Sequence, residues 1–159
     1  MERSTRSGSR WILLEGRLRA FDADCGILLV YGNLNSRDRR ALWEDLCTVG
    51  QSCGGPLIVM GDFNEVRSCE ERKGGRVDSS SVKEFNEWID KMGLVELKPS
   101  NLKFSWHNAN SASLLDRFLV DPCWLVSYPN IGCIGLGQSL SDYNPIVLRL
   151  SSSGRGPIP

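Results

Sequence analysis

Three stretches of this 159-residue chain place an aspartate at the end of an apolar run or inside one. "IVMGDFNEV" ends its apolar run in Asp62 and Asn64, "SLLDRFLV" contains Asp116, and "SLSDYNPIVLRL" places Asp142 just before its apolar residues. Carboxylate and carboxamide oxygens suit hard cations such as Mg²⁺, which in turn suit phosphate chemistry. Because sites in layered α/β folds are built at strand ends, we predict that these side chains converge on one cation or partner group.

The first of these stretches also has a purely structural interpretation. Asp62 and Asn64 are residue types that form Asx turns and cap the chain that follows, without any chemistry. The tetrapeptide "GDFN" alone does not decide between the two interpretations. Asp116 is more informative, because an unpaired carboxylate inside an apolar strand is costly and needs a partner.

The first half of the chain predicts a hairpin, a helix and a buried strand. "RWILLEGRLRAF" and "CGILLVYGNL" are β-rich runs separated by "DAD", which indicates a hairpin. In "SRDRRALWEDLCTVG", Leu42, Leu46 and Val49 recur at helical spacing beside Trp43, and Gly50 is a natural helix end. "PLIVMG" is a continuous apolar run, typical of a strand covered on both faces.

A polar loop, "EERKGGRVDSS", leads into a second predicted helix. We predict that this helix begins at Ser81, where Ser81 and Glu84 form a capping box, and that it ends at Gly93. Its predicted core stripe is Val82, Phe85, Ile89 and Met92.

The last third of the chain predicts more strands. "LKFSWHN" and "SLLDRFLV" resemble a pair of strands, and "DPCWLVSYP" indicates a short helix with Pro122 near its first turn. "IGCIGLG" is too short to assign, and "NPIVLRL" predicts a last buried strand. Strands alternating with two good helices favour an α/β or α+β layered fold.

Composition excludes several classes of protein. Lys+Arg and Asp+Glu are both 19, so there is no overall basic signal for nucleic acid, although arginines cluster in residues 1–19 and in "RDRR". The six cysteines show no CxxC spacing, so we expect neither zinc nor disulfide partners.

No signal peptide or membrane-length apolar run is visible, which predicts an intracellular protein, nuclear or cytoplasmic. Residues 1–10 and 151–159 are predicted to be disordered tails.

In chain order, the stretches "LVYGNLNSRDRRALWEDL", "PLIVMGDFNEVRSCEERKGG", "FNEWIDKMGLVEL", "FSWHN", "LLDRFLV" and "SDYNPIVL" resemble the endonuclease/exonuclease/phosphatase superfamily, the fold of deoxyribonuclease I. The likeness is greatest to the endonuclease domain of plant LINE-type retroelement polyproteins. It implies a two-sheet β-sandwich flanked by helices and Mg²⁺- or Mn²⁺-dependent hydrolysis of DNA. Residues 11–150 would be the later part of such a domain, without its first strands.

The resemblance implies a role for each polar residue at the strand ends. Asp62 would orient or deprotonate the attacking water, and Asn64 would hydrogen-bond the scissile phosphate. Tyr31 in "LVYGN" matches a tyrosine that contacts the phosphate, although a plain strand aromatic explains it equally well. Asp142 would help to hold the metal, and Asp116 would orient the family's catalytic histidine.

Two further residues match the family less specifically. Ser105 and Trp106 lie where members of the family place residues near the DNA backbone. His107, the only histidine of the chain, follows them at a position without a catalytic group in the family. We therefore interpret His107 as a surface or loop residue.

The chain departs from the family at two points. Tyr143 replaces the catalytic histidine, and a tyrosine with a pKa near 10 cannot present an imidazolium at neutral pH. No residue matches the family's metal-binding glutamate: Glu15 resembles an alternating surface residue, and Glu65 points away from the site if the strand's alternation continues. The sequence therefore predicts an impaired endonuclease. A non-catalytic remnant that binds nucleic acid or protein weakly, and a phosphoinositide or other phosphate ester as substrate, are the alternatives.

Overall fold

A six-stranded mixed sheet forms the centre of the chain. The computed structural model describes residues 4–137 and 141–151. Its strands are β1 Ser4–Ser7, β2 Trp11–Leu18, β3 Ala23–Tyr31, β4 Leu57–Asp62, β5 Arg72–Lys73, β6 Val95–Glu96, β7 Trp106–His107, β8 Ala112–Ser113, β9 Asp116–Val120, β10 Ile131–Gly135 and β11 Ile146–Leu150. Its helices are α1 Ser36–Gln51, α2 Ser79–Met92 and α3 Cys123–Ser127, and Cys69–Glu71 form a 3₁₀ turn. The central sheet has the order β1-β2-β3-β4-β9-β6, beside two small sheets, β10-β11 and β5-β8-β7.

The predicted hairpin is confirmed as the antiparallel pair β2–β3, although its turn falls earlier than "DAD". Pairing reaches Leu18 opposite Ala23, so residues 19–22 form the turn. Asp22 takes a left-handed backbone there, with a φ of 49°, which aspartate tolerates because its short side chain bonds locally. The central strand β4 is covered on both faces as predicted, because helices lie on one side and β10–β11 on the other.

The N-terminal segment corrects a prediction. Residues 1–10 are predicted to be disordered, but Ser4–Ser7 pair antiparallel with β2. Ser4 Oγ donates a hydrogen bond to Glu15 Oε2 at 2.7 Å, and Arg6 lies 3.4 Å from the same carboxylate oxygen. A polar segment can form such a strand because an edge strand exposes both of its faces to water. Residues 1–3 and 152–159, the remainder of the two predicted tails, lie outside the described residues.

Helix α1 is confirmed, but Gly50 does not end it. Asn35 is the N-cap, since its side-chain oxygen accepts from the backbone N–H of Arg37 at 2.8 Å, and the helix continues to Gln51. A Cβ atom on Gly50 would lie 2.4 Å from Cε of Met92 on α2. Gly50 therefore allows the two helices to approach closely.

Helix α2 begins two residues before its predicted start. Asp78 is the N-cap, because its side-chain oxygen accepts from the backbone N–H of Ser80 at 3.0 Å and from that of Ser81 at 3.4 Å. The predicted capping box is wrong, since the Ser81 side chain is buried and Glu84 pairs with Arg40 of α1. The predicted end at Gly93 is confirmed by its left-handed φ of 65°.

We expect Asp78→Ala to lower the free energy of unfolding by about 1 kcal/mol, because two N–H groups at the start of α2 lose their acceptor. For a domain of this size that corresponds to a Tm lower by about 2–4 °C. Thermal unfolding followed by circular dichroism measures the shift. Ser79→Ala, at the adjacent exposed position, is the matched control, and equal shifts in the two variants would show that the cap is not the cause.

One face of the sheet packs against α1 and α2 through an aromatic cluster. Trp43 and Trp88 stack with ring centroids 4.9 Å apart, and Phe63 and Phe85 complete the cluster. Of the predicted α2 stripe, Phe85 and Ile89 are fully buried, whereas Val82 and Met92 are half-buried. Trp88, which the predicted stripe omits, is only 3% exposed.

The other face packs against α3, β10 and β11. Pro122 is the N-cap of α3, as predicted, and "IGCIGLG" supplies β10. The prediction that β11 is buried is wrong, since Val147 is 37% exposed and Leu150 is 42% exposed. The β10–β11 pair therefore covers this face only in part. None of the helices in residues 4–137 and 141–151 is long and apolar enough to cross a membrane.

The predicted pairing of "LKFSWHN" with "SLLDRFLV" is also wrong in detail. The second stretch contains the end of β8 and all of β9, and β7 pairs with β8 and, through one isolated bridge from Trp106, with Tyr143. β9 lies between β4 and β6 in the central sheet. His107 is a half-buried residue of β7 and not the loop residue that the sequence suggests.

Candidate functional site

Three of the predicted site residues lie side by side at one end of the central sheet. Tyr31 ends β3, Asp62 ends β4 and Asp116 begins β9, and the register places Tyr31 opposite Asp62 and Asp62 opposite Asp116. Hydrogen bonding between the strands fixes this alignment, so the site is built on sheet and not on flexible loops. The structure thus brings these three together as predicted.

Both oxygens of the Asp62 carboxylate are engaged. Oδ1 accepts from the backbone N–H of Asn64 at 2.9 Å, and Oδ2 accepts from the Tyr143 hydroxyl at 3.0 Å. The first bond is the Asx turn of the structural interpretation, and the second belongs to the predicted site. The two interpretations are therefore compatible, because the turn holds the carboxylate in place at the strand end.

Asn64 takes a left-handed backbone conformation beside Asp62. Its φ is +50°, which asparagine tolerates as aspartate does at Asp22, and its side-chain Nδ2 donates to the backbone oxygen of Gly32 at 2.8 Å. The amide is thus oriented by the chain, and this bond uses one of the two hydrogens on its nitrogen.

Two glycines, which the sequence did not identify as site residues, make this arrangement fit. Gly61 has a φ of +137°, and a Cβ atom there would lie 2.0 Å from the backbone oxygen of Val30. A Cβ atom on Gly32 would lie 2.1 Å from the backbone oxygen of Phe63. Their places in "YGN" and "MGD", where apolar strands meet polar residues, are the signal that could have identified them.

Asp116 is a half-buried carboxylate whose charge is poorly compensated. Its backbone N–H and that of Leu115 both donate to Ser105 Oγ at 2.9 Å, and Ser105 is fully buried. Burial, together with the nearby Asp62 charge, raises the pKa of Asp116 to about 6 even though the Ser105 hydroxyl lowers it. Its Oδ2 atom has no hydrogen-bond partner among the described residues. Ser105 thus holds the strand end of β9 from inside the protein.

Tyr143 lies where its hydroxyl donates to the carboxylate of Asp62. An isolated β-bridge to Trp106 places it at the site, and its hydroxyl then reaches Asp62. Burial and, next, the Asp62 charge raise the pKa of Tyr143 well above its ordinary value. The phenol therefore stays neutral at physiological pH and cannot replace an imidazolium.

Asp142 and Glu65 do not form a three-ligand metal group with Asp62 and Asp116 within the described residues. The Asp142 residue is exposed, and its backbone oxygen accepts from the N–H of His107 at 3.0 Å. Glu65 is buried, and its Oε2 lies 2.7 Å from Arg39 Nη2 and accepts from the Ser81 hydroxyl. Its charge is thus paired inside the protein, although Glu65 lines the same cavity as Asn64 and Tyr143.

The described residues provide no complete protein-only site for Mg²⁺ or Mn²⁺. Within them, no group of three His, Cys, Asp or Glu side chains is arranged to hold a metal. Each Asp62 oxygen accepts one hydrogen bond, which leaves further lone pairs on the carboxylate. Because Mg²⁺ commonly binds through one or two carboxylates completed by phosphate and water, Asp62 and Asp116 could contribute to such a shared site.

A cavity of about 390 Å³ opens beside the site. Asn64, Trp106 and Tyr143 line it on the side of the sheet, and Arg72 and Arg76 line it on the side of the "EERKGG" loop. The two arginines are exposed. An anionic group could therefore reach the strand ends with two arginines beside it, although Asp78 also lines the cavity. A polar loop in the sequence does not reveal that its arginines face the strand ends.

The order of strands and helices, with sheets flanked by helices and polar residues at one end of the central sheet, is the deoxyribonuclease I-like fold. Solved structures of endonuclease/exonuclease/phosphatase proteins share it. No protein-family model matches the sequence, and no curated protein is similar to it.

Two of the similar structures act on nucleic acid by name. The endonuclease domain of TRAS1, a telomere-specific non-LTR retrotransposon, has a TM-score of 0.70 and 18% identity over 94% of this chain and 68% of that chain. A 3'-5' exonuclease, NExo, from Neisseria meningitidis has a TM-score of 0.68 and 15% identity over 90% of this chain. This chain spans 65% of the NExo chain. At these identities the likeness establishes the fold.

Proposed function

We propose that this chain binds nucleic acid at the end of β4 and hydrolyses it poorly or not at all. One observation carries the proposal: the Tyr143 hydroxyl donates a hydrogen bond to Asp62 Oδ2 at 3.0 Å, beside a cavity lined by Arg72 and Arg76. The cations suit a phosphodiester, whereas the tyrosine removes the group that the family uses for acid/base chemistry.

The nucleic-acid part of the proposal is supported by the cations and by the fold. Arg72 and Arg76 face the same cavity as Asn64, and the guanidinium of Arg10 lies 5.2 Å from the centre of the Tyr31 ring. Phosphate contacts from arginines supply much of the affinity of nucleic-acid-binding proteins. A structure of NExo, which shares the fold, contains a product DNA hairpin.

The loss of hydrolysis is supported by Tyr143, which donates its hydroxyl to Asp62 at the position that the resemblance assigns to a histidine. The two hydrogen bonds leave lone pairs on the Asp62 oxygens, so the expected loss rests on the residue that replaces the histidine and not on a blocked carboxylate. Removal of a positioned acid or base lowers a rate by about 10²–10⁴. Tyr143 could donate a hydrogen bond to a phosphate oxygen, but it cannot supply the missing acid/base step at neutral pH.

The finer identity implied by the resemblance remains a proposal. It would make this chain a remnant of a plant LINE-type retroelement endonuclease whose ancestor required Mg²⁺ or Mn²⁺. The proposed function includes no hydrolysis step that uses a metal ion, because the carboxylates of the described residues do not form a three-ligand group. An active Mg²⁺-dependent endonuclease is the alternative, and the following experiment separates the two.

We expect wild-type protein and Asp62→Ala to nick supercoiled plasmid at the same background rate in Mg²⁺ or Mn²⁺. Tyr143→His is expected to stay near this background too, because it restores the histidine but adds no metal ligand at the site of the missing glutamate. Nicking by wild type that Asp62→Ala abolishes would favour the active endonuclease. Nicking that appears only in Tyr143→His would show that the tyrosine alone suppresses hydrolysis.

DNA binding is tested separately from hydrolysis. We expect Arg76→Ala to weaken binding of a labelled DNA hairpin about tenfold at low salt, because one exposed phosphate contact beside the site is lost. Fluorescence anisotropy measures the affinity. Arg149→Ala, which removes an exposed arginine from β11, is the matched control, and equal affinities of the two variants would contradict binding at this cavity.

A further inference from the structure

A second and larger cleft lies on the other side of Arg72. Its volume is about 890 Å³, and its cationic side chains besides Arg72 are Lys73, Lys98 and Lys103. Leu102 and the half-buried Phe104 supply apolar wall. We call this space the lysine cleft. No residue predicted from the sequence as a site residue lines it.

The lysine cleft adjoins the cavity at the strand ends. Arg72 lines both spaces, and the short segment between β8 and β9 separates them. Leu114 faces the lysine cleft, whereas its neighbours Ser113 and Leu115 face the cavity that contains Tyr143. A chain molecule that leaves the site past Arg72 therefore enters the lysine cleft directly.

The cleft retains surplus positive charge even though a carboxylate lies in it. Glu71 is buried and accepts from Arg117 Nη2 at 2.5 Å and from Lys98 Nζ at 2.8 Å, so its charge is already compensated. Lys73 and Lys103 form no ion pair with any residue of the described ranges, and both are exposed. The Glu70 side chain, on the rim, offsets only part of this charge.

An aromatic side chain lies among these cations. The ammonium of Lys103 lies 5.3 Å from the centre of the Phe104 ring, and Phe104 contributes to the cleft wall. Grooves that combine cations with an aromatic platform are typical of sites for unpaired strands, whose bases can stack while the phosphates contact lysines. In a paired duplex the bases stack on one another, so they are less available to contact an aromatic side chain.

We propose that the lysine cleft binds an unpaired nucleic-acid strand that continues from the phosphate held beside Tyr143. This inference rests on the proposed function, because it extends the same nucleic acid past Arg72. Lys73 and Lys103 contact successive phosphates, and Phe104 and Leu102 contact a base.

The test compares two double variants with matched charge changes. Lys73→Ala/Lys103→Ala removes two cations from the cleft, and Lys83→Ala/Lys91→Ala removes two exposed cations from α2. Binding of labelled single-stranded oligothymidine and of the labelled DNA hairpin is measured by anisotropy over a range of salt concentrations. We expect the cleft variant to bind the single strand about tenfold more weakly at low salt, and its salt slope to fall by about 1.4, since each single-strand phosphate contact contributes about 0.7.

Each other outcome overturns a defined part of the argument. If the cleft variant binds oligothymidine like the α2 variant while Arg76→Ala still weakens hairpin binding, the lysine cleft is not a binding site and the proposed function stands. If the cleft variant loses hairpin and single-strand binding equally, the preference for an unpaired strand is wrong. If no variant affects either probe, both the proposed function and this inference fail.

Discussion

Arg117→Met is expected to lower the free energy of unfolding by about 3–5 kcal/mol, because it leaves two buried carboxylates without their shared cation. The Arg117 side chain is fully buried, and its guanidinium lies 2.5 Å from Glu71 Oε2 and 2.6 Å from Glu96 Oε1. It also donates to the backbone oxygen of Leu114 at 2.8 Å. Methionine fills much of the same volume but offers none of these bonds.

The pH dependence of this effect follows from Glu71. Burial alone would raise the pKa of Glu71, but the hydrogen bond and charge of Arg117 outweigh it and lower the pKa to about 2. The ionised pair therefore stabilises the fold above the unfolded pKa of about 4.3, and this stabilisation is lost as the pH falls towards 2. The deficit of Arg117→Met should accordingly be largest near neutrality and shrink in acid.

Urea unfolding followed by tryptophan fluorescence measures this deficit. Arg149→Met removes an exposed arginine and should change stability by less than about 0.5 kcal/mol. If Arg117→Met does not fold, Arg117→Met/Glu71→Gln provides a second comparison. Without Arg117, Glu71 keeps only Lys98 as a cationic partner, so removal of its charge should restore part of the stability. A loss below about 1 kcal/mol in Arg117→Met would show that the buried pair contributes little beyond its packing.

Asp116→Asn is expected to stabilise the protein by about 1–3 kcal/mol at pH 8 and to have little effect near pH 4. Burial and the Asp62 charge raise the pKa of Asp116 to about 6, so its ionised form is disfavoured in the folded state. Below the unfolded pKa of about 3.9 the residue is protonated in both states and costs nothing. The destabilisation develops as the pH rises from about 4 to 6 and is complete above that range.

The difference in unfolding free energy between wild type and Asp116→Asn, measured at several pH values, tests this prediction. Asparagine has the size of aspartate and keeps an oxygen that can accept hydrogen bonds, so the comparison isolates the charge. Asp142→Asn is the matched control, because Asp142 is exposed and should change stability by less than about 0.5 kcal/mol at every pH. A destabilised Asp116→Asn at pH 8 would contradict the assignment of Asp116 as a poorly compensated charge.

The sequence predicts the elements that carry a long, regular pattern. The apolar runs of β2–β3 and β4 and the helical spacing of α1 and α2 are local signals, and the structure confirms them. β7 and β8 have only two residues each, which is too short for any periodicity. The exposed side chains of β11 were mispredicted because an apolar run reveals a strand but not what covers it.

The sequence likewise predicts one part of the site and not another. Strand-end positions predicted that Asp62 and Asp116 meet, because the ends of paired strands share one edge of the sheet, and Tyr31 was added only by the family resemblance. Buried charge pairs escaped prediction: Arg117 and Glu71 are 46 residues apart, and no local pattern connects them. The hydrogen bond between Tyr143 and Asp62 spans 81 residues and is equally invisible in the sequence.

The strand order β4-β9-β6 also sets an order of assembly. β6 leaves the ribosome before β9, yet among the described residues β9 is the only strand of the central sheet that pairs with it. Residues 95–96 therefore cannot join that sheet until residues 116–120 are available. Glu71 and Glu96 likewise cannot form their ion pairs with Arg117 until β9 is available. Contacts over such sequence separations form slowly, because the intervening loop must close first. Formation of the central sheet therefore depends on β9. This strand supplies Arg117 and, at its first residue, Asp116, one of the two carboxylates at the site.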